Sequence, residues 1–226
     1  MTQRSLVDLA RYLLAGADDL SGGFAPTATA QELLADYERR AAQRTRETIL
    51  DEMKAGRAPV MPASDDDGIA IVLRMHEAHR RGCARQALRL LIAVLNGMAL
   101  SGPVYATEFA RYERVLADLS REEIILIATV MRHYRNLDLA NWEELNLGKF
   151  EENIAHELWP DFFDELRRVY SVWASCQRTG LLVQGSNNRK VEDGSAAHVA
   201  FPSALLEEIR ELASFEDVLR REGEQI

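Results

Sequence analysis

The chain has 226 residues, a formal net charge of −9 and two cysteines. This length suits one large domain or two small ones, and it is enough to bury a substantial core. Hydrophobic residues make up 47% of the chain and charged residues 28%, which is typical of a globular protein. We expect a mainly α-helical, soluble protein of bacterial type, without a signal peptide or a membrane-spanning segment.

The charge is unevenly distributed along the chain. Residues 1–104 contain 13 Lys and Arg against 13 Asp and Glu, whereas residues 105–226 contain 14 against 23. We therefore predict two portions with a boundary near residue 105, of which the second is acidic. An acidic portion disfavours nonspecific attraction to nucleic acid or to anionic lipid. Because Cys83 and Cys176 are far apart in the sequence, we expect free thiols and a cytoplasmic location.

A long amphipathic segment from Ser64 to Gly97 dominates the first portion. Ser64 is a good N-cap, and three aspartates, 65–67, fill the first helical turn, where the helix dipole favours carboxylates. If Gly82 is accommodated without a break, the helix is about 50 Å long and forms the centre of a multi-helix bundle. Asn96 and Gly97 are then expected to end it in the left-handed conformation.

Helical spacing predicts two contrasting faces on this segment. One face is apolar, and the opposite face is basic, with Arg74, Arg81, Arg85 and Arg89. We expect these arginines to pair with the acidic second portion, either within one chain or across a dimer. The alternative is a surface for an anionic ligand or a nucleic-acid backbone.

Two imidazoles and one thiol on the apolar face form a candidate metal site. His76, His79 and Cys83 have the spacing i, i+3 and i+7, and they could bind zinc with a fourth ligand such as His133 or His156. The alternative is that all three are ordinary core residues. The aspartate run 65–67 is interpreted as a helix-start charge cluster rather than a cation site. No nucleophile motif or phosphate-binding loop is present, and we expect no cofactor.

Capping residues, apolar spacing and turn residues predict the other elements. Helices are expected to begin at Ser5, at the Thr29 and Glu32 pair, near Thr107, and at the Ser120 and Glu123 pair. A helix over about 149–157 is followed by one that begins at Pro160 and ends near Gly180. Two short β-like runs, 181–183 and 198–201, flank a polar loop, and one last helix begins after Pro202 and Ser203.

The order of elements over residues 120–214 resembles that of a winged-helix domain. The resemblance rests on a helix that ends in Arg178-Thr179-Gly180-Leu181-Leu182, followed by a polar loop, a returning strand and a closing helix. It implies a recognition helix over 160–178 and a wing that holds Asn187, Asn188, Arg189 and Lys190. Asp161, Asp164 and Glu165 would stand at the start of that helix and would repel DNA.

The sequence therefore predicts a non-catalytic interaction or regulatory protein that acts through protein–protein contacts and forms a homodimer. The alternative is a transcription regulator that binds DNA through the winged-helix-like unit. A third interpretation is a helical metalloenzyme that uses His76 and His79.

Overall fold

A computed structural model gives the fold. It describes residue 5, the helical residues 35–37, 39–40, 42–43 and 46–51, and residues 60–137, 147–190 and 196–223. For residues 147–148, 186–190 and 196–199 it describes the backbone only. The chain forms two compact units: unit 1 comprises Met1–Leu119 and Leu212–Ser214, and unit 2 comprises Ser120–Glu211 and Phe215–Ile226. The helix predicted to follow Ser5 and the start of the helix predicted from Thr29 lie outside the described residues.

The described part of unit 1 consists of helices and the segments that connect them. Its named helices are α1 (Asp65–Arg80), α2 (Arg85–Ser101) and α3 (Ala106–Leu116). The prediction for the start of α1 is confirmed, because the Ser64 side chain accepts a hydrogen bond from the backbone N–H of Asp67. The predicted helix near Thr107 is confirmed as α3.

The predicted continuous helix over 64–97 is wrong, since the chain breaks at Gly82. Gly82 has a φ of 93°, in the left-handed region that favours glycine. Its N–H donates to the carbonyl of His79, and the N–H of Cys83 donates to the carbonyl of Ala78. These two bonds form a Schellman motif, which satisfies the last carbonyl groups of α1 and ends the helix. Two helices, α1 and α2, therefore replace the single long helix predicted over 64–97.

The central helix of unit 1 is α2, in which eleven consecutive residues, 87–97, are buried. A helix buried on every side is enclosed by its neighbours. We predicted that Gly97 ends this helix. That prediction is wrong, because α2 continues to Ser101. Its place is explained by packing: a Cβ added to Gly97 would lie 2.7 Å from both the Cα and the carbonyl carbon of Leu212.

One carboxylate connects the starts of α1 and α3. Asp67 Oδ2 accepts a hydrogen bond from the Ser64 hydroxyl at 2.6 Å, and Asp67 Oδ1 accepts one from the backbone N–H of Ala106, the first residue of α3, at 2.9 Å. A parallel bridge between Pro62 and Val104 joins the segments that precede the two helices. The aspartate run therefore includes a helix-capping residue that serves two helices.

Unit 2 contains three helices, a β-hairpin and two final helices. They are α4 (Arg121–Arg135), α5 (Leu147–Leu158), α6 (Leu166–Arg178), β1 (Leu182–Lys190), β2 (Ala196–Pro202), α7 (Ala204–Leu212) and α8 (Phe215–Arg221). The last residue of α7, Leu212, belongs to unit 1. The strands are antiparallel, and their register runs from Leu182 opposite Pro202 to Lys190 opposite Ala196. The fold class is thus mainly α, with a small two-stranded sheet near the C-terminus.

The central helix of unit 2 is α4, in which nine consecutive residues, 123–131, are buried. Its predicted capping box is confirmed, because the Ser120 side chain and the Glu123 side chain each bond to the other residue's backbone N–H. Both acidic residues of α4, Glu122 and Glu123, lie in its first turn, and its last turn holds Arg132, His133 and Arg135, as the helix dipole favours.

Two boundaries in unit 2 differ from the prediction, at the start of α6 and at the end of β1. The helix expected from Pro160 begins at Leu166, because the N–H groups of Phe162 and Phe163 bond back to the Leu158 carbonyl and this segment completes α5. The segment expected as a polar loop after 183 is strand to Lys190, since backbone pairing with β2 needs no apolar side chains.

The single last helix that we predicted is two helices. Leu206, Ile209 and Ala213 are buried, and so are Phe215, Val218 and Leu219. In one continuous helix these two sets would project in nearly opposite directions, at about 100° per residue. The break at 213–214 allows both sets to be buried. Within the described ranges, no helix has both the length and the apolarity needed to cross a bilayer.

Candidate binding surface

Helix α6 presents one buried face and one exposed face. Its buried side chains are Val169, Val172, Trp173 and Cys176. The exposed face, which we call the α6 face, consists of Arg167, Tyr170, Ser171, Ala174, Gln177 and Arg178. All six are exposed, and α6 contains no acidic residue. The sequence places three arginines on this helix, of which two lie on the α6 face.

The acidic residues expected in the first turn of the recognition helix stand ahead of it instead. Asp161 and Asp164 lie in the segment between α5 and α6, and Glu165 is the N-cap residue of α6. All three are exposed. The surface around α6 is therefore divided into an acidic end, which precedes the helix, and a basic helix.

An ion pair holds the first turn of α6 against α4. Arg168 donates from Nε and Nη2 to the same oxygen, Oε2 of Glu122, at 3.0 Å and 2.7 Å. Charge-assisted hydrogen bonds of this kind are stronger than neutral ones. Because Arg168 is engaged in this way, most of the free basic charge of α6 comes from Arg167 and Arg178.

A chain of hydrogen bonds connects the last turn of α6 to the capping box of α4. Arg178 Nη2 donates to Ser175 Oγ at 3.0 Å, and Ser175 Oγ donates to Oε1 of Glu123 through a short hydrogen bond. The other oxygen of Glu123 accepts the Ser120 N–H at 2.8 Å. Glu123 is buried, so the residue that caps α4 also fixes the position of Ser175 and Arg178.

Large apolar side chains are exposed on and around α6. Trp159, ahead of the helix, is 41% exposed, and Tyr170, on the helix, is 45% exposed. Val183, on β1 immediately after the helix, is also exposed. Tryptophan, tyrosine and arginine are the residue types that most often supply binding energy at protein interfaces.

The four arginines of the predicted basic face do not share one helix, because the segment breaks at Gly82. Arg74 is on α1, Arg81 caps its C-terminus, Arg85 begins α2, and Arg89 is buried at 7% exposure. Arg74 and Arg81 both bind the buried carboxylate of Glu113, with N···O distances of 3.5 Å and 2.9 Å. Glu113 lies within residues 105–226, the portion predicted to be acidic, and it pairs with these two arginines within the chain.

The candidate metal ligands are not on one helix face. His76 and His79 are on α1 and only partly exposed, whereas Cys83 follows the break at Gly82. Burial, together with the nearby carboxylate of Asp118, raises the pKa of the Cys83 thiol to about 12. In the described part of the chain, no group of three or more His, Cys, Asp or Glu residues is placed to hold a metal ion.

His133 and His156, each predicted as a possible fourth metal ligand, both have a carboxylate neighbour on α5. His133 Nε2 lies 2.6 Å from Oε2 of Glu157, which also binds Arg132. Burial and the positive charge of Arg132 lower the pKa of His133. His156 lies 3.7 Å from Oε1 of Glu152. Asn187, Asn188, Arg189 and Lys190 lie on β1, and their side chains are outside the described residues.

Sequence reasoning missed the hydrogen-bond chain from Glu123 to Arg178 and the exposed Trp159 and Tyr170. The capping box did signal Glu123, but its second role depends on the packing of α6 against α4. Comparison with protein-family models, with curated proteins and with solved structures finds no match to this chain.

Proposed function

We propose that this protein is a non-catalytic binding protein whose recognition surface is the α6 face and whose partner is another protein surface. The observation that carries this proposal is the α6 face itself: an exposed, acid-free helix face with a tyrosine and two arginines, fixed to the rest of unit 2 by Glu122 and Glu123. A rigid, preorganised surface loses less entropy on binding than a flexible one.

Charge favours a protein partner over nucleic acid. Residues 120–211 and 215–226 of unit 2 contain 12 Lys and Arg against 20 Asp and Glu. Nucleic-acid affinity comes largely from the neutralisation of many phosphates, and a net negative unit opposes the approach of a polyanion. A protein interface needs only local complementarity, and it commonly uses exposed aromatic and arginine residues such as Tyr170, Trp159 and Arg167.

DNA binding is the second candidate. It is supported by the absence of acidic residues on α6 and by the hairpin that follows the helix, an order that resembles a winged-helix domain. In that arrangement, Arg167 and Arg178 would contact phosphates, and Gln177 would be available for base edges.

A photocrosslinking amino acid at Tyr170 tests the main proposal in the native cell. Tyr105, which is also about half exposed but lies in unit 1, is the matched control position. We expect a discrete protein adduct from position 170 that disappears when Arg167 is replaced by glutamate. If position 170 gives no adduct beyond those at position 105, the proposal is overturned. A mobility-shift assay with duplex DNA at low and high salt tests the second candidate, and no shift at low salt excludes it.

A further inference from the structure

We infer that the α6 face binds a second copy of this chain, with the two α6 helices antiparallel about a twofold axis. This inference rests on the proposed function and names the partner. Its basis is the distribution of charge along α6 and the segment that precedes it.

The surface has opposite charge at its two ends. At one end, Asp161, Asp164 and Glu165 are exposed ahead of the helix and outnumber the exposed Arg167 of its first turn; at the other end, Arg178 is exposed at the last residue. In the part of the chain that the structure describes, none of the three acidic side chains forms an ion pair. Glu165 and Arg178 are separated by about 20 Å along the helix axis, at 1.5 Å per residue, so they do not neutralise each other.

An antiparallel second copy is complementary to both ends at once. With the helices crossing at Ser171 and Ala174, Arg178 of each protomer lies opposite Arg167 of its partner and about 3–5 Å along the axis from Glu165 and Asp164. The acidic residues at that end outnumber Arg167, so Arg178 meets a net negative charge, and the twofold axis repeats this pairing. A parallel copy would instead place acidic residues beside acidic residues and Arg178 beside Arg178. The charge pattern therefore selects the antiparallel arrangement.

The middle of the α6 face permits close approach of a second helix. Ser171 and Ala174 occupy its centre, and small side chains allow helix axes to lie near the short end of the usual 8–10 Å. Tyr170, 45% exposed, lies beside them and supplies apolar area that a partner would cover.

Arg178 is held ready for such a contact. Its Nη2 donates to Ser175 Oγ, which in turn donates to the buried Glu123. A guanidinium has five N–H donors, so the others remain available for a carboxylate of the second copy. Because the side chain is already oriented, binding costs less rotamer entropy than it would for a free arginine.

The size of this surface sets the expected affinity. Interfaces of stable complexes bury about 800 Å² on each partner, and one face of a 13-residue helix supplies only part of that area. We therefore expect a reversible dimer that forms as the protein concentration rises through the micromolar range. Added salt should weaken the association.

Sedimentation velocity on the full chain from about 1 to 300 μM tests the inference. We expect the wild type to shift from monomer to dimer, and Arg178→Glu to weaken the association by about tenfold or more. Asp164→Arg should weaken it similarly, and the double variant Asp164→Arg/Arg178→Glu should recover most of the loss. Ser175→Ala should have a smaller effect in the same direction. Arg114→Glu, an identical charge change at an exposed position on α3, is the control.

Circular dichroism melting verifies that each variant is folded, and Arg178→Gln replaces Arg178→Glu if the latter is not. A wild type that stays monomeric over the whole range overturns the inference, and so does a double variant no better than the single ones. If the chain is monomeric but position 170 still crosslinks to a different protein, only the identity of the partner is wrong. If it is monomeric and position 170 gives no specific adduct, the proposed function fails as well.

Discussion

Replacing Gly97 with alanine should destabilise the protein, although the same change stabilises an ordinary helix. Gly97 lies inside α2, where alanine is favoured over glycine by about 1 kcal/mol. The added Cβ, however, would lie 2.7 Å from the Cα and the carbonyl carbon of Leu212, well inside van der Waals contact. These are backbone atoms that cannot rotate away. Overpacking in a core typically costs about 1–3 kcal/mol, and a backbone clash belongs at the upper end.

The two effects leave a net loss of about 1–2 kcal/mol in the free energy of unfolding, or about 2–8 °C in Tm for a chain of this length. Urea unfolding followed by circular dichroism measures it. Gly82→Ala is the matched control: a Cβ there meets no atom within 4 Å, and the cost comes only from a φ of 93°. If Gly97→Ala is as stable as the wild type or more stable, helix propensity outweighs the close approach to Leu212, contrary to this prediction.

Three further predictions concern single side chains. Hydrogen bonds from Ser64 and from the Ala106 N–H lower the pKa of Asp67, so Asp67→Asn should lose about 1–2 kcal/mol at pH 7. That difference should shrink as the pH falls through about 4, where the unfolded carboxyl is protonated; a pH-independent loss in urea titrations would contradict this. Asn96 is 3% exposed, and among the described residues neither of its side-chain amide atoms has a hydrogen-bond partner. Asn96→Leu should therefore raise Tm, and a lower Tm would show that the amide is hydrogen-bonded in solution. Since the pKa of Cys83 is about 12, its labelling by a thiol reagent at pH 8 should be about a thousandfold slower than that of an unfolded thiol, and fast labelling of the native protein would be inconsistent with its burial.

The features that the sequence predicts correctly depend on residues close together in the chain. Ser64 caps α1, and Ser120 with Glu123 forms the capping box of α4, because a cap involves only a few consecutive residues. The end of α6 near Gly180 is correct for the same reason, since Gly180 has a φ of 75°. The mainly helical class follows from many such signals together.

The predictions that fail depend on distant packing or on an ambiguous residue. Gly82 and Gly97 lie in one amphipathic segment. The sequence predicts that the helix continues through Gly82 and ends at Gly97. The structure reverses both roles, because Gly82 completes a Schellman motif and Gly97 meets the backbone of Leu212. The break at 213–214 is different, because the sequence pattern alone could have predicted it. The apolar residues before and after the break would lie on nearly opposite sides of one continuous helix.

The order of the charges along α6 matters more for this surface than their sum over a long stretch of sequence. Charges in solution are screened over about 8–10 Å at moderate salt. Asp164 and Glu165 therefore act strongly on Arg167, within about one helical turn, and weakly on Arg178, about 20 Å away. The surface is neither uniformly acidic nor uniformly basic. A polyanion complements only the basic end of this surface. A partner whose acidic and basic ends run in the reverse order complements the surface along its whole length. An antiparallel second copy has that reverse order by symmetry.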